Sequence, residues 1–138
     1  MKSFKFAGHN CVLAEDQEDY ESLYIFKHRN NISVPYSMCF ELTDNELAQL
    51  YETSGITVTQ LTFNEDLQPV TIGLMGLEAC ASAGGVAFGE RIDRTNPVTW
   101  IFNLDKKQLK EIFRTKKLWV NQYTAGKVFL PISVNIKN

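Results

Sequence analysis

Laid on itself so that Tyr24 meets Val86, the chain repeats: residues 24–72 align with 86–134 without a gap, and 11 of the 49 aligned positions are identical. The identities are Phe26/Phe88, Arg29/Arg91, Pro35/Pro97, Phe40/Phe102, Leu42/Leu104, Leu47/Leu109, Thr53/Thr115, Val58/Val120, Gln60/Gln122, Thr62/Thr124 and Pro69/Pro131. Ordinary composition gives roughly three by chance. Most mismatches also stay apolar, as in Leu50/Ile112, Tyr51/Phe113, Ile56/Leu118 and Val70/Ile132. A chain built this way must fold as two copies of one small unit, with repeat one at about 10–74 and repeat two at about 75–138.

Local chemistry predicts the same elements in both copies. Residues 24–28 and 36–42 are β-rich and flank a turn with Asn30, Asn31 and Pro35; 86–88 and 98–104 flank 93–97 in the same way. Thr43 and Asp105 directly follow the last strand residue, and Glu46 or Gln108 three positions later completes a capping box, so a helix starts at each. Leu47, Leu50 and Tyr51, matched by Leu109, Ile112 and Phe113, form one apolar stripe per helix, directed at a sheet. Gly55 is placed to end the first helix, and Lys116 and Lys117 suit the negative end of the second. Strands follow at 56–63 and 118–123, then at 67–74 and 128–136, with Pro69 and Pro131 at strand-entry or edge positions. The expected fold is α+β: an internally duplicated ββαββ unit with antiparallel or mixed sheets and one helix per repeat. The two copies are expected to make a pseudo-twofold single domain over 1–138, because one helix on four short strands buries too little alone.

The 138 residues are 44% apolar, and the formal charge of −2 conceals opposed halves. Residues 1–74 carry 4 Lys/Arg against 11 Asp/Glu, and residues 75–138 carry 10 against 5. No apolar run is long enough for a signal peptide or a membrane span, and Cys11, Cys39 and Cys80 have neither disulfide-framework nor zinc spacing, so reduced thiols in a cytoplasm are expected. His9 and His28 lack ligand partners in sequence. The acidic cluster Glu15, Asp16, Glu18, Asp19 and Glu21 is out of register for a calcium loop, and Gly84, Gly85 and Gly89 precede a strand rather than a helix, unlike a phosphate loop. The second helix region, 105–117, has six cations against two anions, but a pI of about 5.7 and the lack of a nucleic-acid signature argue against dedicated nucleic-acid binding. Complementary halves of neighbouring subunits, in a homo-oligomer, are the simpler use of that charge.

No nucleophile, metal set or acid–base pair assembles from the sequence, so no enzyme and no cofactor are expected. The repeat instead keeps polar residues. Gln60/Gln122 and Thr62/Thr124 share the strand face of Val58/Val120, where an amide serves either neighbouring backbone or a ligand. Arg29 and Arg91 sit in the two hairpin turns with Arg94 beside the second, suited to bidentate phosphate contact. Trp119, Tyr123 and Trp100 stand where copy one has Thr57, Leu61 and Met38, and serve as core, interface or stacking groups.

The segment 40–72 resembles the strand–helix–strand cassette of small phage and prophage proteins. Phe40, Leu42, Thr43, Glu46, Thr53, Gln60, Leu61, Thr62, Phe63, Leu67, Gln68 and Pro69 carry the match. Copy two follows loosely: Gln122, Thr124 and Pro131 hold, while Tyr123, Ala125 and Leu130 depart. The resemblance implies a non-enzymatic phage accessory protein acting against host defence in the bacterial cytoplasm, by analogy of type rather than by a shared site. Such a protein would sequester a nucleotide-derived immune signal, a cyclic nucleotide or an ADP-ribose-type molecule. Arg29, Arg91 and Arg94 would meet phosphate, Gln60 and Gln122 the base or sugar edge with Thr62 and Thr124 beside them, and Trp119 or Tyr123 would stack. The alternative is a protein-binding inhibitor or structural accessory that works through its charged faces.

Overall fold

Each helix begins at a side chain that satisfies its free N–H groups. In the computed structural model, Thr43 Oγ1 accepts from the Glu46 N–H at 3.2 Å and Glu46 Oε1 accepts from the Thr43 N–H at 3.1 Å, opening α1 (Asp44–Thr53). Asp105 and Gln108 make the same reciprocal pair at 2.8 and 2.7 Å, opening α2 (Lys106–Thr115). The structure describes residues 1–16, 18, 21–27, 35–61, 70–73, 98–123 and 132–137. Both helices end on a residue in the left-handed region, Ser54 at φ 54° and Lys116 at φ 59°. Gly55 is therefore not the reversal point that its place in the sequence suggests. It opens the next strand, and a Cβ there would lie 2.7 Å from Lys137 Cδ. The glycine serves that close approach, which brings the Lys137 N–H to the Gly55 carbonyl at 2.9 Å.

The strands are β1 (Lys2–Ser3), β2 (Cys11–Leu13), β3 (Leu23–Lys27), β4 (Pro35–Glu41), β5 (Gly55–Gln60), β6 (Val70–Gly73), β7 (Val98–Asn103), β8 (Lys117–Tyr123) and β9 (Ile132–Ile136). With two helices and antiparallel ladders the fold is α+β. The larger sheet runs β2-β3-β4-β8-β6, with β1 also on β4, and the smaller runs β7-β5-β9. The expected strand 86–88, the turn residues Asn30 and Asn31 and the turns at 64–66, 93–97 and 125–127 lie outside the described residues.

The strands before and after each helix belong to different sheets. α1 leaves β4 in the larger sheet and delivers β5 to the centre of the smaller; α2 leaves β7 in the smaller and delivers β8 between β4 and β6 in the larger. The middle strand of one half thus sits between two strands of the other. The registers correspond as the sequence alignment does: Tyr36 faces Gln122 as Val98 faces Gln60, and Val70 faces Gln122 as Ile132 faces Gln60. The ladders continue into the caps in matching fashion, the Leu42 N–H donating to the Lys116 carbonyl at 2.9 Å and the Leu104 N–H to the Ser54 carbonyl at 2.8 Å.

From β4 to β9 the even-numbered strand residues face one shared core, which the odd-numbered Ile25 of β3 joins beside Met38. Met38, Phe40, Leu118, Val120, Val70 and Ile72 from the larger sheet join Ile56, Val58, Trp100, Phe102 and Val134 from the smaller, with Leu47, Leu50 and Ile112 from the helices. Tyr51 departs from the expected stripe: it is 72% exposed and meets Phe113 edge-on at 5.8 Å. Tyr51 and Phe113 are aligned with each other in the sequence, and their contact marks where the helices face each other. The Lys116 ammonium and Asp44 carboxylate, 3.0 Å apart, also join α2 to α1. Acidic and basic helices therefore meet within one chain, which is the pairing the charge asymmetry suggested between subunits; at this exposure it adds little stability.

The odd-numbered faces differ between sheets. In the larger sheet the N-terminal segment covers it: the Phe4 N–H donates to the Cys39 carbonyl at 2.8 Å, and buried Phe6 packs edge-on against Trp119 at 4.9 Å. Beneath it the Ser37 hydroxyl donates to Asn121 Oδ1 at 2.6 Å. In the smaller sheet the matching Thr59 and Thr99 hydroxyls lie 3.1 Å apart, and Ile101, the counterpart of Cys39, is 58% exposed.

Burial pushes the Cys39 thiol up to about 12, with the Lys117 charge opposing and the Glu41 charge adding to the rise. An unfolded thiol ionises near 9.0, so above that pH the unfolded state sheds a proton that the folded state retains, and stability falls as pH rises toward 12. From pH 8 to 10.5 this group is expected to cost about 2 kcal/mol. Urea midpoints at the two pH values, compared with those of Cys39→Val, measure it; an equal fall in both proteins would refute the assignment to Cys39.

Candidate functional site

The alternation that builds the core also carries two amides into it. Gln60 ends β5 on the face of Ile56 and Val58, and Gln122 stands on β8 on the face of Leu118 and Val120. Both are 0% exposed. In each ladder the glutamine lies at the end remote from the helices: Ile56 and Leu118 are near the caps, Val58 and Val120 come next, and Gln60 and Gln122 close the row. Gln60 is flanked by Val98 and Ile132, and Gln122 by Tyr36 and Val70.

The Oε1 and Nε2 atoms of Gln60 and of Gln122 are buried and find no hydrogen-bond partner among the described residues. A buried polar atom left unpaired costs about 1–3 kcal/mol, so four of them cost on the order of 4–12 kcal/mol. That is the size of the whole folding stability of a domain, roughly 5–15 kcal/mol. Two amides at corresponding positions are poor core residues, whereas a carboxamide with a free donor and a free acceptor is a good reader of a polar edge.

Of the other residues singled out from sequence, Trp119 lies on the opposite face of β8 from Gln122, half-buried against Phe6. The structure does not bring it together with the glutamines, because positions three apart on a strand face opposite ways. The backbone of Tyr123 pairs with Pro35 next to Gln122. Arg29, Arg91, Arg94, Thr62 and Thr124 lie outside the described residues. The described strand ends nearest to them in sequence are Lys27, Gln60, Val98 and Tyr123.

No protein-family model, no curated protein and no solved structure matches this chain. Its site must be read from its own chemistry. Among the described residues no three His, Cys, Asp or Glu side chains group to hold a metal, and no helix is long and apolar enough to cross a membrane. His9 is engaged locally, with Nδ1 2.8 Å from the Phe6 carbonyl and its ring edge-on to Tyr24. Glu46 is also committed to structure. Burial alone would raise its pKa, but hydrogen bonds from the N-terminal ammonium and Thr43, with the ammonium charge, hold it below the usual carboxylate range.

Sequence reasoning finds both glutamines because a polar residue is kept at a repeated position on a core-leaning face. It does not find the indole N–H of Trp100, which is buried and unpartnered among the described residues on the same inner face. The alternation of β7 is the available signal, since Val98, Trp100 and Phe102 share one side.

Proposed function

We propose that the chain is an internally duplicated ββαββ unit, folded as one pseudo-twofold domain, that binds a nucleotide-derived signalling molecule and holds it without converting it. The observation carrying this reading is the pair of fully buried, unpartnered carboxamides at equivalent positions of the two repeats. Duplication is supported by the common spacing of the caps, the left-handed helix ends and the ladder registers. A glutamine amide offers a donor and an acceptor side by side, which matches the edge of a nucleobase. In the sequence Arg29 comes two residues after β3, and Arg91 and Arg94 come seven and four residues before β7; their forked guanidinium groups suit phosphate. Thr62 and Thr124 come two residues after the glutamines and add hydroxyls. The resemblance of residues 40–72 to phage proteins points to a phage protein that removes a defence signal in the bacterial cytoplasm.

The test is a melting experiment with cyclic dinucleotides, cyclic trinucleotides and ADP-ribose isomers, followed by recovery of the ligand. One ligand class is expected to stabilise the protein by about 2.7 kcal/mol at a hundred times its Kd, and to be recovered intact. No shift with any ligand would overturn binding; a converted ligand would make the protein an enzyme.

A further inference from the structure

Corresponding edges of the two sheets are covered differently. In the larger sheet β1 adds to the far side of β4, with Lys2 opposite Glu41 and Ser3 opposite Phe40, and the Phe4 N–H reaches the Cys39 carbonyl at 2.8 Å. The segment then crosses the outer face, where the Lys117 ammonium lies 4.1 Å from the centre of the Phe4 ring and Phe6 meets Trp119. Cys39, Phe40 and Glu41 align with Ile101, Phe102 and Asn103 of β7. There β7 has β5 on one side and, among the described residues, no strand on the other. Backbone groups alternate in direction along a strand, and the Leu104 N–H donates on the β5 side, so those of Ile101 and Asn103 point away from it. Between Val98 and Asn103 there is neither a proline nor a charge, the usual means by which an edge is kept from pairing. Ile101 is 58% exposed on the outer face, beside Thr57, which aligns with Trp119. The charges are reversed as well. α1 opens with Asp44 and Glu46, and the segment covering β4 is basic, with Lys2, Lys5 and the Met1 ammonium that pairs with Glu46. After its cap Asp105, α2 opens with the exposed Lys106 and Lys107, and Gln108 stands in the place of Glu46.

We propose that the edge of β7 at Ile101–Asn103, with the outer face beside it, docks an extended peptide segment of a partner protein, which adds a strand there as β1 does on β4. Main-chain hydrogen bonds to Ile101 and Asn103 hold the segment, and its side chains select it. It is acidic where it passes Lys106 and Lys107, because the first turn of α2 has the opposite charge to that of α1. It carries an aromatic side chain two or four residues further on, as Phe4 and Phe6 follow Lys2, to cover Ile101 and Thr57. This surface lies on the face of β5 and β7 opposite to Gln60, so it stands independently of the glutamines as ligand contacts.

Fluorescence anisotropy of dye-labelled peptides titrated with the full chain tests this. The probes are a peptide of residues 1–7, the segment that adds to the equivalent edge, and the same peptide with Lys2→Glu and Lys5→Glu. The acidic peptide is expected to bind about tenfold more tightly than the basic one, through exposed charge pairs at Lys106 and Lys107. In the Lys106→Glu/Lys107→Glu double variant that order should reverse, an outcome that a folding defect does not produce. Ile101→Asp, a change at an exposed position, should weaken the acidic peptide about tenfold by removing the apolar contact and adding a like charge. No saturable binding of the acidic peptide up to about 1 mM, an order of affinities that the double variant leaves unchanged, or undiminished binding to Ile101→Asp would each overturn the proposal. A protein that is dimeric by light scattering and turns monomeric in Ile101→Asp would assign the edge to a second copy of the chain and overturn it as well.

Discussion

Replacing Gln60 and Gln122 together by leucine is expected to raise the melting temperature of the ligand-free protein by on the order of 10 °C and to abolish ligand-induced stabilisation. Leucine is close to glutamine in size, and the exchange removes the four buried amide atoms that lack partners among the described residues. Relief of about 2 kcal/mol at each site is a moderate figure for unpaired buried groups, and a chain of this length gains roughly 3–5 °C per kcal/mol. An amide serving the fold gives the opposite sign, because its removal orphans the group that bonded it. The sign of the change therefore separates a binding site from a structural network. A fall in melting temperature in the double variant would dismiss the glutamines as ligand contacts, and a rise with ligand binding intact would place the ligand elsewhere. The gain in stability with loss of function is the pattern expected where a binding group is held at the expense of the core.

Ile56→Ala and Leu118→Ala are each expected to destabilise the whole chain by about 2–5 kcal/mol, lowering both sheets together. Both side chains are 0% exposed and occupy corresponding positions on the middle strands, Ile56 between Phe102 and Ile136, and Leu118 opposite Phe40. The two tryptophans make this measurable. Trp100 is in the smaller sheet and Trp119 in the larger, so Trp119→Phe and Trp100→Phe backgrounds report one sheet each. Each half supplies one interior strand of the sheet otherwise built by the other, β5 between β7 and β9 and β8 between β4 and β6, so no half completes its own sheet alone. Urea transitions from the two reporters should therefore coincide in both alanine variants. Separate midpoints, with Leu118→Ala lowering one sheet only, would show that the halves unfold independently.

Much of the local structure is legible in the chain. Thr43 and Asp105 are identifiable as caps because a capping box is set by residues three apart. The inward face of each strand is legible from alternation, which is why both glutamines stand out. The departures have physical causes as well. Gly55 looks like a helix terminator because glycine most often fills the left-handed position, yet Ser54 takes that conformation, as Lys116 does in the second half. Tyr51 shares the spacing of Leu47 and Leu50 and so points to the core, but α1 meets α2 along that edge and leaves the ring largely in water. Trp119 does not join Gln122, since an odd separation on a strand puts them on opposite faces. The N-terminal segment has no marked pattern, so its cover over Cys39 and Trp119 emerges only in the tertiary structure.

The sequence by itself determined the alignment of one half on the other, the two capped helices, the alternation of the strands and the burial of an amide at each glutamine position. Apart from the repeat, these are short-range properties, set by residues within a few positions of one another. The tertiary structure settles that β5 and β8 exchange places and that the outer face of the larger sheet is covered while that of the smaller leaves Ile101 exposed. Backbone groups are the same in every strand, so any edge offers the same ladder. The choice among edges rests on which side chains then fill one core, and those come from residues as far apart as Ser37 and Asn121, 84 positions along the chain.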